Sequence, residues 1–125
     1  MENDVTVRVL IVDDQEPFRA VAREVVEAAG DFEVVGEAAD GERSVDLARS
    51  LHPDLVLMDV NLPGIDGPEA TRQILAEGGD TKVLLLSTYE EEEYGDTARE
   101  CGAFAYVPKS AFDPDRLAEV WASAT

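Results

Sequence analysis

The chain is predicted to fold as one α/β domain spanning residues 1–125: a doubly wound sheet of five parallel strands alternating with five helices, (βα)5. Three observations predict it. The runs 5–12, 55–58 and 83–86 are nearly continuous in apolar residues, which suits strands buried on both faces rather than half-exposed alternating ones. The segments between them carry apolar residues at helical spacing, opened by proline or a capping aspartate. At 125 residues the chain has the length of a single domain, and none of its apolar runs nears the ~20 residues of a membrane helix.

Taken in order, residues 5–12 are rich in β-branched side chains and end at Asp13-Asp14. Pro17 suits a first helical turn. Phe18, Val21, Ala22, Val25, Val26 and Ala29 then recur at helical spacing until Gly30 stops the helix. Residues 32–39 give a weaker strand, expected at a sheet edge, and Asp40 can cap the next helix, which must end before Pro53. The third strand, 55–58, delivers Asp59. Pro68 opens a helix that Gly78-Gly79 terminates, and the strand 83–86 then runs into Ser87-Thr88. Residues 90–100 make a poorer helix, because Gly95 costs about 1 kcal/mol relative to alanine. A fifth strand, 103–107, leads to Pro108-Lys109, and Asp113-Pro114 caps and opens a last helix with Leu117, Val120, Trp121 and Ala124 on one side.

Composition narrows the partners. With 28 acidic and 10 basic residues the formal charge is -18, so nucleic acid and anionic membranes would repel this segment, whereas cations and basic or polar protein surfaces would not. A single cysteine, Cys101, cannot form an internal disulfide, and the first residues lack the basic and apolar regions of a secretory signal. The expected setting is cytoplasmic.

If the strands are parallel, Asp13, Asp14, Asp59, Ser87 and Lys109 converge at the C-terminal edge of the sheet, where ligands of open α/β folds bind. Each alone has a bland explanation, as a turn former, a local hydrogen-bonder or a solvated lysine. Turn chemistry does not call for three acids, a hydroxyl and a lysine at four different strand ends. Crowded carboxylates raise at least one pKa unless a cation intervenes. Ligands that are all oxygen favour a hard cation such as Mg²⁺. Held by Asp14 and Asp59, such an ion could bind a phosphoryl oxygen, while Lys109 and Ser87 contact others and the Asp59 carboxylate attacks phosphorus.

The segments Leu10-Ile11-Val12-Asp13-Asp14, Asp54-Leu55-Val56-Leu57-Met58-Asp59, Leu62-Pro63-Gly64-Ile65-Asp66-Gly67, Ser87 and Tyr106-Val107-Pro108-Lys109 together resemble the receiver domain of two-component response regulators. The resemblance covers essentially the whole chain, and around Leu86-Ser87-Thr88-Tyr89-Glu90 it is most like the NarL/FixJ subfamily. It implies a flavodoxin/CheY-like sheet of order 2-1-3-4-5, a case for which the strand order and switch point are established. It also implies that Asp59 accepts a phosphoryl group from a sensor histidine kinase. Asp14 and Asp59 would bind Mg²⁺ directly, Asp13 through water and Asn61 through its backbone carbonyl. Ser87 and Lys109 would contact phosphoryl oxygens, and Asn61 and Tyr89 would shape access of the attacking water. Tyr106, which on its own reads as core, would be an aromatic switch, outward at rest and inward on activation. A homodimer formed on phosphorylation, and a transcriptional output in a longer protein, also follow from the resemblance.

Two departures stand out. Ser110 follows the lysine where many receivers have a proline preceded by a cis bond; a cis bond before serine would cost about 3–4 kcal/mol, and both isomers stay open. The sequence also stops after its last helix, where NarL/FixJ proteins usually continue into a DNA-binding domain, so the segment is either an excised or a stand-alone receiver. Three other functions compete. A Mg²⁺-dependent phosphatase working through an aspartyl phosphate would want a general acid where Asn61 stands. An FMN module would want a hydroxyl- and glycine-rich loop where Asp13-Asp14-Gln15-Glu16 stands. A phosphorylation-independent pseudo-receiver would use the same surface through protein contacts alone.

Overall fold

The computed structural model describes residues 6–88 and 91–124, with 91–94 described as helical backbone only. Val5, Tyr89 and Glu90, to which the sequence assigned a strand start, a role in phosphoryl lifetime and a helix start, lie outside the described residues. The elements run β1 (Val7–Val12), α1 (Glu16–Ala28), β2 (Phe32–Ala38), α2 (Gly41–Leu51), β3 (Leu55–Asp59), α3 (Gly67–Ala76), β4 (Lys82–Ser87), α4 (Glu91–Cys101), β5 (Ala105–Pro108), a 3₁₀ turn at Lys109–Ala111, and α5 (Pro114–Ala124). The five strands form one parallel sheet in the order β2-β1-β3-β4-β5, as expected, with β2 at an edge.

The central strands β1, β3 and β4 are apolar on both faces because helices cover both. Leu10, Val12, Val56, Met58, Val83, Leu85 and Tyr106 pack with Val45 and Ala48 of α2, Ala70 and Ile74 of α3, and Ala98 and Cys101 of α4. Val9, Ile11, Leu55, Leu57, Leu84, Leu86 and Val107 pack on the other side with Ala22, Val25 and Val26 of α1 and Leu117 of α5. Burying such side chains on folding contributes about 1.5–3 kcal/mol each before entropy is counted. Trp121 belongs to this second layer, meeting Phe32 and Phe104 edge-on at ring separations of 6.4 and 6.2 Å. Cys101 is buried at the end of α4, as its position before Gly102 suggested.

Helix ends follow the sequence signals. Asp40 accepts the Arg43 N–H at 2.7 Å, Asp66 the Glu69 N–H at 2.9 Å, and Asp113 the Arg116 N–H at 2.8 Å, each capping a first turn. The end of α2 is less ordinary. His52 is left-handed there (φ 50°), and the Arg8 guanidinium from β1 donates to the Leu51 and His52 carbonyls at 2.8 Å each, satisfying groups that helix termini leave open. One local expectation is corrected. β5 starts at Ala105 and extends through Pro108, opposite Ser87; an edge strand tolerates a proline, which has no N–H to donate. Lys109 opens a 3₁₀ turn, closed by the Phe112 N–H on the Lys109 carbonyl at 3.2 Å. Among the described residues no peptide bond is cis, so Lys109–Ser110 is trans.

Candidate functional site

Strand register assembles the site. Val12 pairs with Met58, Asp59 with Leu86, Leu86 with Val107 and Ser87 with Pro108. Asp13, one residue beyond Val12, is therefore level with Asp59. Pleating puts both on the α1/α5 side of the sheet, in phase with Ile11 and Leu57, while Ser87 is in phase with Leu85 on the opposite side. The rim of the sheet thus presents carboxylates at one level and a hydroxyl one step above.

The β1–α1 connection is shaped by Asp13 itself. Its N–H donates to the Ala38 carbonyl at 3.0 Å, prolonging the ladder with β2, and its Oδ1 accepts the Gln15 N–H at 2.8 Å. Its backbone carbonyl accepts from the Arg19 guanidinium at 2.7 Å; Arg19 also reaches Glu37 at 3.2 Å, and Arg23 grips the same carboxylate at 2.7 and 2.9 Å. The remaining oxygen, Oδ2, is buried and makes no hydrogen bond, although the Lys109 ammonium stands 2.7 Å away as an ion-pair partner. Asp14 is exposed on the rim.

The loop between β3 and α3 turns back tightly. The Val60 N–H donates to the Leu86 carbonyl at 3.0 Å and the Gly67 N–H to the Val60 carbonyl at 2.9 Å. This brings Gly67 against the Asp59 backbone: a Cβ at position 67 would lie 2.1 Å from the Asp59 carbonyl oxygen and 2.9 Å from the Val60 Cα. Only glycine fits. The loop holds the backbone of Asp59 at the start of α3.

Asp59 is 6% exposed. Burial raises its carboxyl from the ordinary 3.8 to about 6, and the nearby Asp13 charge adds to the rise; Lys109, with its ammonium 3.5 Å from Asp59 Oδ1, pulls the other way, and Asp14 contributes a smaller upward push. The crowding expected of three carboxylates is therefore visible in the group at the centre. Lys109 is only 13% exposed, unusually covered for a lysine. Its ammonium sits 4.3 Å from the centre of the Phe18 ring, which in turn meets Phe112 at 6.4 Å. In the sequence Phe18 reads only as part of the apolar stripe of α1 and Arg19 carries no signal of its own; their position four and five residues past Asp14, on the first turns of that helix, is what brings them to the rim.

Asp14, Gln15, Asp59, Asn61, Ser87, Thr88 and Lys109 line a cleft of about 200 Å³. Asp13, Asp14 and Asp59 each offer an oxygen, and these oxygens lie within 4.8 Å of one another. The donor set is all carboxylate oxygen, so these residues fit a hard divalent cation. Tyr106 stands apart from the cleft. It is 6% exposed, within the core layer shared with α2, α3 and α4. In this structure apolar packing around the ring on β5 holds it inward.

The family model of the response regulator receiver domain matches residues 9–122. The chain belongs to the response regulator receiver family. Among curated relatives, this receiver domain is 37% identical over 117 residues to the transcriptional regulatory protein DegU of Brevibacillus brevis, covering 94% of this chain and 49% of that one. It is 41% identical over 105 residues to the transcriptional regulatory protein LiaR of Bacillus subtilis, covering 84% and 50%. The nitrate/nitrite response regulator NarL of Escherichia coli matches at 34% identity over 117 residues, covering 94% and 54%. The receiver thus spans about half the length of these relatives. A solved LuxR-family two-component response regulator from Aurantimonas superposes with a TM-score of 0.86 at 36% identity, covering 95% of this chain and 84% of that one. The response regulator domain of Thermotoga maritima CheB gives 0.84 at 28% identity, covering 94% and 95%. No helix among the described residues is long and apolar enough to cross a membrane.

Proposed function

We propose that this receiver is the phosphoacceptor of a two-component response regulator, phosphorylated on Asp59 by a sensor histidine kinase with Mg²⁺ bound. The observation that carries the proposal is Asp59 itself: a buried carboxylate at the C-terminal end of the central strand, flanked by two further acids and a largely enclosed lysine at the edge of an open cleft. Asp13, Asp14, Asp59 and the Asn61 backbone carbonyl would hold the Mg²⁺, which when bound supplies positive charge to phosphoryl oxygens.

Within the protein, an Asp59 oxygen attacks phosphorus, the bond from phosphorus to the kinase imidazole nitrogen breaks, and its electron pair leaves with the imidazole. The product is an acyl phosphate on Asp59. Lys109 meets developing negative charge as a point charge, and the Ser87 hydroxyl donates a hydrogen bond to another phosphoryl oxygen. Asn61, on the wall of the cleft, would shape access of the water whose attack on phosphorus later restores the carboxylate. The reaction is the protein's own modification and its reversal, with no external substrate turned over.

Incubated with phosphoramidate, the protein is expected to gain the mass of one phosphoryl group with Mg²⁺ present and none in EDTA. Equal gain under both conditions would contradict the role of the acidic cluster. The names of DegU and LiaR support a transcriptional output, and the charge of -18 argues against contact with nucleic acid by these residues themselves. Tyr106 and α4 carry the signal to a protein face, including that of a second copy. Phosphorylation-dependent self-association, read by sedimentation, is expected to be lost in Tyr106→Ala; full retention would argue against this route.

A further inference from the structure

The ring of Phe18 is the one aromatic group among the described residues that faces the Lys109 ammonium, and it also braces the turn from which that lysine rises. Its centroid is 4.3 Å from Lys109 Nζ, within the range in which an aromatic face attracts a cation. The same ring meets Phe112, 6.4 Å away, and Phe112 closes the 3₁₀ turn by donating its N–H to the Lys109 carbonyl. Phe112 is buried, so the contact anchors α1 to the root of the lysine as well as to its head. On its other side the ammonium faces Asp13 Oδ2 at 2.7 Å and Asp59 Oδ1 at 3.5 Å. A lysine stem has four rotatable bonds and a strongly hydrated head, which ordinarily favours solvent. Here the side chain is 13% exposed because ring and carboxylates enclose it.

We infer that Phe18 is a positioning residue for phosphoryl transfer: its ring seats the Lys109 ammonium at the carboxylate cluster, where it can meet a phosphoryl oxygen on Asp59. The inference rests on the proposed role of Asp59, yet the seat itself can be observed without any phosphorylation. Phe18 touches no reacting atom. It contributes no ligand oxygen and acts only by seating Lys109, so its loss is expected to lower the rate without lowering cation affinity.

The test compares Phe18→Leu and Phe18→Met, which keep apolar bulk and remove the aromatic face, with Phe18→Tyr, which keeps it. The first readout is the proton shift of the Lys109 ε-methylene, which the ring current of Phe18 moves upfield. Wild type and Phe18→Tyr are expected to show the displaced resonance, and the Leu and Met variants a resonance near the ordinary lysine position. The second is the initial rate of phosphorylation by phosphoramidate at saturating Mg²⁺, expected to fall about fivefold in Phe18→Leu and Phe18→Met, about the size of a single cation–π contact of 1 kcal/mol. The Tyr variant is expected to keep the wild-type rate. The third is Mg²⁺ affinity by calorimetry, expected to stay within about twofold of wild type throughout, as befits a residue that contributes no ligand. An unshifted Lys109 resonance in wild type, an undiminished rate in the Leu and Met variants, or a loss of Mg²⁺ affinity parallel to the loss of rate would overturn the inference. If wild type itself takes up no phosphoryl group, the proposed role of Asp59 fails, and the Lys109 resonance still decides whether the seat exists.

Discussion

Gly67→Ala is expected to destabilise the protein by about 3 kcal/mol or more, at the upper end of what overpacking a close contact costs. The added Cβ would stand 2.1 Å from the Asp59 carbonyl oxygen and 2.9 Å from the Val60 Cα, both backbone atoms that cannot rotate aside. Relief requires the start of α3 to move away from the sheet. That movement stretches the 2.9 Å hydrogen bond from the Gly67 N–H to the Val60 carbonyl and shifts the strand end that carries Asp59. Urea denaturation gives the stability change directly, and a cost below about 1 kcal/mol would mean that the loop gives way without strain. Phosphoryl uptake should fall with it, because the loop and the phosphoacceptor share one stretch of backbone.

Asp59→Asn is expected to have the opposite effect on stability. In the folded protein the Asp59 carboxyl is raised from 3.8 to about 6, so between those values the folded state holds a proton that the unfolded chain has released. Stability contributed by the wild-type residue is therefore complete below the lower value, falls as pH rises, and is lost once the pH passes the folded value. Above pH 6 the wild type carries an ionised, largely buried carboxylate beside Asp13, at a cost of about 2–3 kcal/mol. An amide of the same shape does not ionise. In metal-free buffer the variant should equal the wild type near pH 4 and exceed it by about 2–3 kcal/mol at pH 7. Added Mg²⁺ should stabilise the wild type far more than the variant and narrow the gap. A variant no more stable than wild type at pH 7 would show that Lys109 already neutralises the crowding.

The parts of this design that were legible in the sequence are those written in local pattern. The unbroken run Leu55 to Met58, bounded by Pro53 and Pro63-Gly64, read as a strand covered on both faces, and it is the central one. Asp40 and Asp113 announced helix starts that they do cap. The acids, hydroxyl and lysine at strand ends pointed to one rim because parallel strands share a C-terminal edge, and the cleft gathers Asp14, Asp59, Asn61, Ser87 and Lys109 there. What escaped depends on distances between segments that no periodicity encodes. The approach of Gly67 to the Asp59 carbonyl is set by how tightly the β3–α3 loop closes. The seat of Lys109 on Phe18 depends on where α1 crosses the rim. His52 is left-handed although its type gave no such signal, because Arg8, on a strand 44 positions away, ties down its carbonyl.

That Asp59 is the group which carries phosphate is tested most directly by treating the protein with phosphoramidate and Mg²⁺, reducing it with borohydride, which converts an acyl phosphate to an alcohol, and sequencing the peptides by mass spectrometry. Homoserine at position 59, absent when Mg²⁺ is withheld and absent in Asp59→Asn, is the predicted result. Reduction at Asp13 or Asp14 instead, or a phosphoryl adduct of undiminished yield in Asp59→Asn, would contradict it.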